Sequence, residues 1–153
     1  IPVGPKRAPL WPAGVTGSIT HTRSCAAAVA ARAGEDLRAL GIDVEEDIPL
    51  EDKLLPSICS PREQEWLKQQ KDPGQLAKVI FSAKEAAYKC QYTLSARFFG
   101  FDGMELHLDT ARGRFLAEFT GDQPPFAKGA QIAGSFAIGA GLIVTAAELR
   151  MGG

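Results

Sequence analysis

The sequence predicts an α+β (α/β) protein, because strand-like segments lie before and after one long helical region. Residues 40–45 alternate apolar and acidic side chains, which is the period of a strand with two different faces. The pattern from 50 to 92 is helical instead. The uncharged stretch 129–147 is near membrane-spanning length, but its glycines and its two short apolar bursts favour a β-hairpin over 131–150.

The remaining elements follow from local signals. Ser60-Pro61-Arg62-Glu63 is a helix start, with a serine cap, proline in the first turn and an acid at the third position. The alanines within 24–33 favour a helix by propensity, yet the Ala-Gly-Glu-Asp that follows is typical of a hairpin turn, so this segment stays open. We also expect an irregular start over 1–16, a strand over 17–22, a helix over about 75–91, two strand-like runs within 98–120 and a hairpin turn near 139–141.

The charge balance and the cysteines limit the classes of function. The 153 residues carry a formal net charge of −1 with both signs interspersed, so we expect no nucleic acid and no membrane as partner. Cys25, Cys59 and Cys90 lie far apart without a CxxC pair, which favours plain thiols in a reducing compartment. The proline-rich start has no apolar run typical of a signal peptide. We therefore expect a cytoplasmic protein.

Two acidic residues share one face of the strand over 40–45. Asp43 and Glu45 are two residues apart, so their carboxylates project side by side. Buried neighbouring carboxylates raise each other's pKa, and a divalent cation resolves this conflict. Oxygen ligands of this kind suit Mg²⁺ or Mn²⁺. The alternative is a solvated strand end, because Asp-x-Glu is a common pattern.

The helical residues 81–89 supply a second group. Glu85 and Lys89 form an i,i+4 pair in the favourable order on one stripe of the helix. Taken alone, this pair is best explained as an ordinary surface ion pair. Near Asp43 and Glu45, it would instead add a third carboxylate and a lysine, which together suit a metal-bound diphosphate.

His21 ends the strand expected over 17–22, with Ser18 and Thr20 just before it. A single histidine is more often a hydrogen-bonded structural residue than a functional one. The small hydroxyl side chains beside His21 nevertheless indicate a place that can receive a phosphate group.

Three segments, taken in order, resemble the motifs of a known family. WPAGVTGSITH (11–21), GIDVE (41–45) and FSAKEAAYK (81–89) are similar to the three successive motifs of the surfactin/enterobactin-type, or group II, 4′-phosphopantetheinyl transferases. Three ordered motifs are far more specific than any single match. FFGFD (98–102) and GLIVTAA (141–147) resemble the C-terminal strands of that family, so the resemblance runs over essentially the whole chain.

The resemblance implies a reaction, a cofactor and a partner. Enzymes of this family transfer the 4′-phosphopantetheine group from coenzyme A to a serine of an apo acyl or peptidyl carrier protein and release 3′,5′-ADP. They depend on Mg²⁺, for which Mn²⁺ is an alternative. We expect a monomer that activates carrier proteins, in secondary metabolite biosynthesis. Which carrier is modified, that of fatty acid, polyketide or nonribosomal peptide synthesis, stays open.

The second and third motifs carry the implied catalytic residues. Asp43 and Glu45 match the acidic pair and Glu85 the later acid that surround Mg²⁺ in the family. Lys89 matches the lysine that approaches the diphosphate, and Glu85, or a water that it holds, is the expected base. We expect Glu85 to lie close enough to Asp43 and Glu45 for one cation to touch all three carboxylates.

The first motif carries the implied contacts with coenzyme A. His21, with Ser18 and Thr20 beside it, matches the segment that contacts the phosphates of coenzyme A. Lys6 falls where family members carry a cation near the nucleotide, and Arg7 is an alternative for this role.

The family fold consists of two pseudo-symmetric α/β halves with the active site between them. By this resemblance, residues 1–40 are the remainder of an N-terminal half, and 41–150 form the C-terminal half with the metal-site carboxylates. Family members usually carry a further basic segment before this point, so we expect the first half to be incomplete. Leu10, Trp11 and parts of the strand over 17–22 would then lack packing partners.

Two other classes of function stay open at this stage. One is a non-catalytic relative that binds carrier protein or coenzyme A, although the acids and lysine of the motifs argue against it. The other is an unrelated α+β interaction domain, whose binding would show no dependence on a metal ion.

Overall fold

A computed structural model of the chain describes residues 9–34 and 36–150. Helices and antiparallel strands both occur in this part, so the predicted α+β class is confirmed. The strands are β1 (Val15–His21), β2 (Ala26–Arg32), β3 (Leu37–Glu46), β4 (Met104–Asp109), β5 (Arg114–Phe119), β6 (Gln131–Gly139) and β7 (Leu142–Arg150). The helices are α1 (Leu55–Ile58), α2 (Pro61–Leu67) and α3 (Pro73–Ser95).

Five strands form one sheet in the order β3-β7-β6-β5-β4, with each neighbouring pair antiparallel. Burial alternates along β5 and β7, so one face of the sheet is apolar and the other is exposed. Helix α3 packs against the apolar face, mainly over β3 and β7. The largest fully buried apolar side chains are Val79, Ile80, Phe119, Ile132 and Ile143, and Ile80, Phe119 and Ile132 belong to the main hydrophobic core. Each contributes roughly 1.5–3 kcal/mol by leaving water.

The helix ends are set by capping side chains. The hydroxyl of Ser60 accepts a hydrogen bond from the amide of Glu63 (3.1 Å), and the Glu63 carboxylate accepts one from the amide of Ser60 (2.7 Å). This confirms the helix start predicted from the sequence. Helix α3 begins after Asp72, whose side chain accepts from the amide of Gln75. It is therefore longer at both ends than the helix expected over 75–91.

Helix α3 lies very close to strand β3. A β-carbon at Gly41 would overlap the carbonyl oxygen of Ala86, so only glycine permits this approach. Ala83 and Ala87 of α3 are fully buried and leave little space between the two backbones. The polar side chains of α3 are thereby brought within hydrogen-bonding distance of Asp43 on β3.

The ambiguous segment 24–33 forms a strand. Residues of β2 pair antiparallel with β1, from Val15 opposite Arg32 to His21 opposite Ala26. Pairing with β1 overrides the helix propensity of the alanines. The stability of a strand depends more on packing against its neighbouring strand than on the intrinsic preference of its residues.

Strand β1 lies beside the free edge of β3 and contacts it through side chains. The hydroxyl of Ser18 accepts a hydrogen bond from the amide of Ile42 (3.0 Å), and that of Thr20 accepts one from the amide of Val44 (3.2 Å). These hydroxyls satisfy backbone donors that a neighbouring strand would otherwise take. The β1–β2 hairpin is thus attached directly to the strand that carries the acidic pair.

The uncharged stretch 129–147 forms much of the hairpin of β6 and β7, as predicted. Ala140 and Gly141 both have positive φ (53° and 76°) at its turn. In the part of the chain that the structure describes, no helix combines the length and apolarity needed to cross a bilayer.

Candidate active site between helix α3 and strand β3

One stripe of polar residues on α3 faces strand β3. Lys78, Ser82, Glu85 and Lys89 are spaced four, three and four residues apart, which places them on one side of a helix. Ser82 and Lys89 both hydrogen bond to Asp43 of β3. The second and third sequence motifs therefore meet at this helix–strand contact.

Asp43 is held from several sides and is only 4% exposed. Its Oδ2 accepts a 2.8 Å hydrogen bond from the hydroxyl of Ser82. Its Oδ1 lies 3.3 Å from the ammonium of Lys89 and 3.4 Å from the hydroxyl of Thr20. From β7, the hydroxyl of Thr145 lies 2.8 Å from that of Ser82. These partners fix the carboxylate and offset the cost of burying its charge.

Glu45 and Glu85 carry the other carboxyl groups of the site. Burial, followed by the hydrogen bond and the charge of Asp43, raises the pKa of Glu45 to about 8, and Lys78 opposes this rise. Burial and then the charge of Asp43 also raise the pKa of Glu85, against the lowering effect of Lys89. The three carboxyl groups thus interact with one another as like charges in a confined space.

The donor set has the chemistry of a cation site without its assembled geometry. Asp43, Glu45 and Glu85 offer carboxylate oxygens, the ligands that Mg²⁺ and Mn²⁺ prefer. Over residues 9–34 and 36–150, no three His, Cys, Asp or Glu side chains are grouped so that they could hold a metal ion. The assignment of these three residues as metal ligands therefore stays a prediction.

Lys89 does not form the exposed helical ion pair that its spacing from Glu85 suggests. It makes its ion pair with Asp43 instead, and its ammonium also donates to the carbonyl oxygen of Ile42 (3.0 Å). Its side chain is 29% exposed. Among the described contacts, these two bonds use two of the three N–H donors of Lys89. The third donor is left for a ligand.

The residues of the first motif divide into two groups. Ser18 is 3% exposed and Thr20 is also buried, and their hydroxyls bond to strand β3. Both residues therefore fix β1 to β3, and their direct contact with a phosphate stays a prediction. His21 is exposed at the end of β1. Lys6, the further predicted contact, lies outside the described residues.

Lys84, the neighbour of Glu85, is buried on another side of α3. Its ammonium lies 2.9 Å from the Glu63 carboxylate, and the two side chains are 3% and 1% exposed. It also donates to the carbonyl oxygens of Ile58 (2.7 Å) and Phe101 (3.0 Å). This network fixes α3 to the start of α2 and to the loop before β4.

A cleft of about 260 Å³ opens beside Glu85. Its wall is mostly apolar and includes Phe101. The ring centroid of Phe101 lies 5.5 Å from that of Phe81. The lining residues are Lys84, Glu85, Tyr88, Phe98, Phe99, Gly100, Phe101 and Met104. The cleft therefore combines an acid with a mostly apolar surface that suits an uncharged chain.

The structure brings Thr20, Asp43, Glu45, Glu85 and Lys89 into one neighbourhood. Three supporting residues were not predicted from the sequence. Ser82 donates to the Asp43 carboxylate, the hydroxyl of Thr145 contacts that of Ser82, and the charge of Lys78 lowers the pKa of Glu45. The spacing of polar residues along α3 is a signal that points to Lys78 and Ser82. No local signal identifies Thr145, because β7 reaches Asp43 only through sheet pairing.

Two family descriptions match the chain. The 4'-phosphopantetheinyl transferase superfamily matches residues 39–143, and the 4'-phosphopantetheinyl transferase N-terminal domain matches residues 1–31. The first match contains Asp43, Glu45, Glu85 and Lys89.

Several curated proteins are similar in sequence. The chain is 38% identical to 4'-phosphopantetheinyl transferase Svp of Streptomyces mobaraensis over 94% of its own length and 60% of that protein. It is 38% identical to 4'-phosphopantetheinyl transferase Npt of Nocardia iowensis over 75% of the chain and 54% of that protein. It is also 31% identical to PptT of Mycobacterium tuberculosis over 95% of the chain and 67% of that protein. The chain thus spans between about half and two thirds of these relatives.

One solved structure has a fold similar to that of this chain. The holo-[acyl-carrier-protein] synthase of Thermotoga maritima aligns with a TM-score of 0.59 over 72% of this chain and 61% of that one, at 21% identity. That likeness concerns the fold alone. The family match over residues 39–143, together with the relatives, shows that this chain belongs to the 4'-phosphopantetheinyl transferase superfamily.

Proposed function

We propose that the chain transfers the 4′-phosphopantetheine group of coenzyme A to a serine of an acyl or peptidyl carrier protein, with release of 3′,5′-ADP. The observation that carries this proposal is the meeting of Asp43, Glu85 and Lys89 at the α3–β3 contact beside an apolar cleft. The named relatives are 4'-phosphopantetheinyl transferases, which supports it further.

In the proposed reaction, the serine oxygen of the carrier forms a bond with the phosphorus that bears the pantetheine arm. The bond from this phosphorus to the oxygen shared with the nucleotide breaks, and 3′,5′-ADP leaves with that electron pair. The serine proton must be removed as this happens. Glu85 is the proposed base, because burial and the charge of Asp43 raise its pKa and so make its carboxylate more basic.

The negative charge on the diphosphate must be neutralised during transfer. Lys89 is the proposed cation, since its ammonium is partly exposed and Asp43 and the Ile42 carbonyl hold it in place. His21, exposed at the end of β1, is a second proposed phosphate contact. Lys6 stays a proposed contact with the nucleotide.

Asp43, Glu45 and Glu85 would hold Mg²⁺ or Mn²⁺. Their fit rests on the chemistry of the donor set. Burial and mutual repulsion raise the pKa values of Glu45 and Glu85, and a divalent cation would stabilise the charged form of such crowded carboxyl groups. A bound cation would supply charge neutralisation to the diphosphate. The raised pKa of Glu45 means that binding would release its proton.

The cleft beside Glu85 is the proposed place for the pantetheine arm. The arm is a flexible chain without charge, and the cleft is lined by aromatic side chains together with Glu85. An arm lying there would keep its phosphorus near Glu85 and Lys89. The carrier protein is the proposed second partner, although its pathway is left open.

The two matched descriptions meet between residues 31 and 39, which supports treating 1–40 and 41–150 as parts of two halves. We further propose that the chain acts in the cytoplasm as a monomer. Its cysteines at 25, 59 and 90 are free thiols, which fits a reducing compartment.

Calorimetric titration with coenzyme A, with and without Mg²⁺, tests the binding part of this proposal. We expect tighter binding with Mg²⁺, and we expect Glu45→Gln to remove that difference. A non-catalytic relative would bind coenzyme A without modifying a carrier protein. An interaction domain with chance motifs would show no metal-dependent binding.

A further inference from the structure

Thr145 lies on β7 directly opposite Asp43 of β3. Residues that pair in this way project to the same face of a sheet, so both side chains point toward helix α3. Ser82 of α3 meets them there, with its hydroxyl 2.8 Å from the hydroxyl of Thr145 and 2.8 Å from Oδ2 of Asp43. Ser82 and Thr145 are both fully buried. The two hydroxyls therefore form a chain that ends on the carboxylate.

The number of available protons fixes the direction of this chain. Asp43 forms an ion pair with Lys89, so its charged carboxylate only accepts hydrogen bonds. The single proton of the Ser82 hydroxyl is therefore donated to Oδ2 of Asp43. The 2.8 Å contact between the two hydroxyls then needs the proton of Thr145, because two oxygens repel each other at this distance without one. Thr145 thus donates to Ser82, and Ser82 donates to Asp43.

Two carbonyl oxygens compete for the proton of Thr145. The carbonyl oxygen of Ser82 lies 3.0 Å from the Thr145 hydroxyl, and that of Asp43 lies 3.4 Å away. The Ser82 carbonyl belongs to the interior of α3, where a backbone amide of the helix already donates to it. The hydroxyl oxygen of Ser82 has no other donor among the described contacts. The shortest contact, between the two hydroxyls, is therefore the one that depends most on Thr145.

The two carboxylate oxygens of Asp43 differ in how firmly they are held. Oδ2 has the 2.8 Å bond from Ser82, whereas Oδ1 has longer contacts with Lys89 (3.3 Å) and Thr20 (3.4 Å). Hydrogen bonds that follow one another in a chain strengthen each other, so donation by Thr145 strengthens the bond from Ser82 to Oδ2. A firmly held Oδ2 hinders rotation of the carboxylate and keeps Oδ1 beside Lys89.

We infer that Thr145 is a positioning residue for the transfer reaction, because it directs the Ser82 proton to Oδ2 and so keeps Oδ1 of Asp43 beside Lys89. This inference rests on the proposed function. It adds a residue of β7 that lies outside the three sequence motifs. In the described part of the chain, Thr145 reaches the Asp43 carboxylate only through Ser82.

Thr145→Val and Thr145→Ser separate the hydroxyl of Thr145 from its packing. Valine removes the hydroxyl and keeps the branched shape, whereas serine keeps the hydroxyl and loses a buried methyl group. At saturating Mg²⁺, we expect Thr145→Val to lower kcat about three- to tenfold, the value of one neutral hydrogen bond, with a smaller change in KM for coenzyme A. Thr145→Ser should transfer at nearly the wild-type rate, although its melting temperature falls. A residue that only packs would give both folded variants the same kcat.

Thr16→Val is the matched control, because Thr16 is another buried strand threonine whose hydroxyl has no partner within the described residues. It should leave kcat unchanged. Ser82→Ala tests the path of the effect. Adding Thr145→Val to Ser82→Ala should lower kcat no further, since the chain is already broken. A further loss in the double variant would show that Thr145 acts by another route and would overturn the inference.

An unchanged kcat in Thr145→Val, with normal transfer by the wild type, would also overturn the inference and leave the proposed function intact. If Thr145→Val does not fold, Thr145→Ala against Thr145→Ser makes the same comparison with the same outcomes. If the wild type transfers nothing, calorimetric titration with coenzyme A at several Mg²⁺ concentrations decides. A need for more Mg²⁺ in Thr145→Val than in Thr145→Ser would support the inference, and equal or no binding would refute it.

Discussion

Ser82 of helix α3 donates a 2.8 Å hydrogen bond to Oδ2 of Asp43 on strand β3. Both residues are buried, and Thr145 of β7 supports the serine from the sheet. This contact joins the third sequence motif to the second. A change at Asp43 should therefore affect the chemistry of the site more than the packing of the helix, provided that the hydrogen bond is kept.

Asp43→Asn is the substitution that keeps this contact. Its amide oxygen still accepts from Ser82, while the charge that pairs with Lys89 is lost. We expect a folded protein whose transfer rate falls by about a hundredfold or more, the scale of losing one electrostatic group of an active site. Asp109→Asn is the control and should react normally, because Asp109 lies at the end of β4 and pairs with Arg112. Wild-type transfer by a folded Asp43→Asn protein would show that Asp43 has no catalytic part.

Lys89→Ala tests whether Lys89 takes part in catalysis or only forms an ion pair at the surface. We expect kcat to fall by about a hundredfold or more, because negative charge shifts onto the leaving phosphate without its counterion. Lys68→Ala removes a lysine from an exposed helical pair with Glu65 and should leave kcat unchanged. Steady-state kinetics of both variants measure the difference. Equal rates for the two would assign Lys89 a structural part only.

The raised pKa of Glu45 predicts a dependence of stability on pH in the absence of divalent cations. The folded protein holds the Glu45 proton up to a pKa of about 8, whereas the ordinary pKa of a glutamate is 4.5. The contribution of Glu45 to the free energy of unfolding is therefore fully present below pH 4.5 and is lost as the pH rises toward 8. We expect the melting temperature of the wild type to fall over this range more steeply than that of Glu45→Gln. Parallel melting curves at each pH would contradict the prediction.

The buried pair of Lys84 and Glu63 should dominate the stability of the region around α2. Lys84→Met leaves the Glu63 carboxylate buried without its counterion, which costs about 3–5 kcal/mol of unfolding free energy. Lys53→Met breaks an exposed pair with Glu51 and should cost less than about 1 kcal/mol. Chemical denaturation compares the two. A loss below about 1 kcal/mol in Lys84→Met would contradict this account.

The fold was predictable where local signals and long-range packing agree. The capped start at Ser60, the long helix and the hairpin of β6 and β7 all follow from such signals. The alanine run of β2 does not, because helix propensity competes with pairing to β1. Only the partner strand decides between the two, and single-residue preferences do not contain that information.

The candidate site was predictable in its charged residues more than in its neutral ones. Motif resemblance pointed to the acids and Lys89. Ser82, whose hydroxyl supports Asp43, is a common residue type, so its identity alone gives no signal of a role. The buried pair of Lys84 and Glu63 depends on which side of α3 meets the loop before β4. These relations arise from packing, so no spacing rule in the sequence predicts them.

Mass spectrometry of a carrier protein tests the central proposal most directly. An apo carrier protein is incubated with this chain, Mg²⁺ and coenzyme A, and its intact mass is compared with that of a sample without the chain. We predict a mass gain of one phosphopantetheine group on the carrier serine, together with release of 3′,5′-ADP. A carrier that stays unmodified, although the chain is folded and binds coenzyme A, would contradict the proposed transfer.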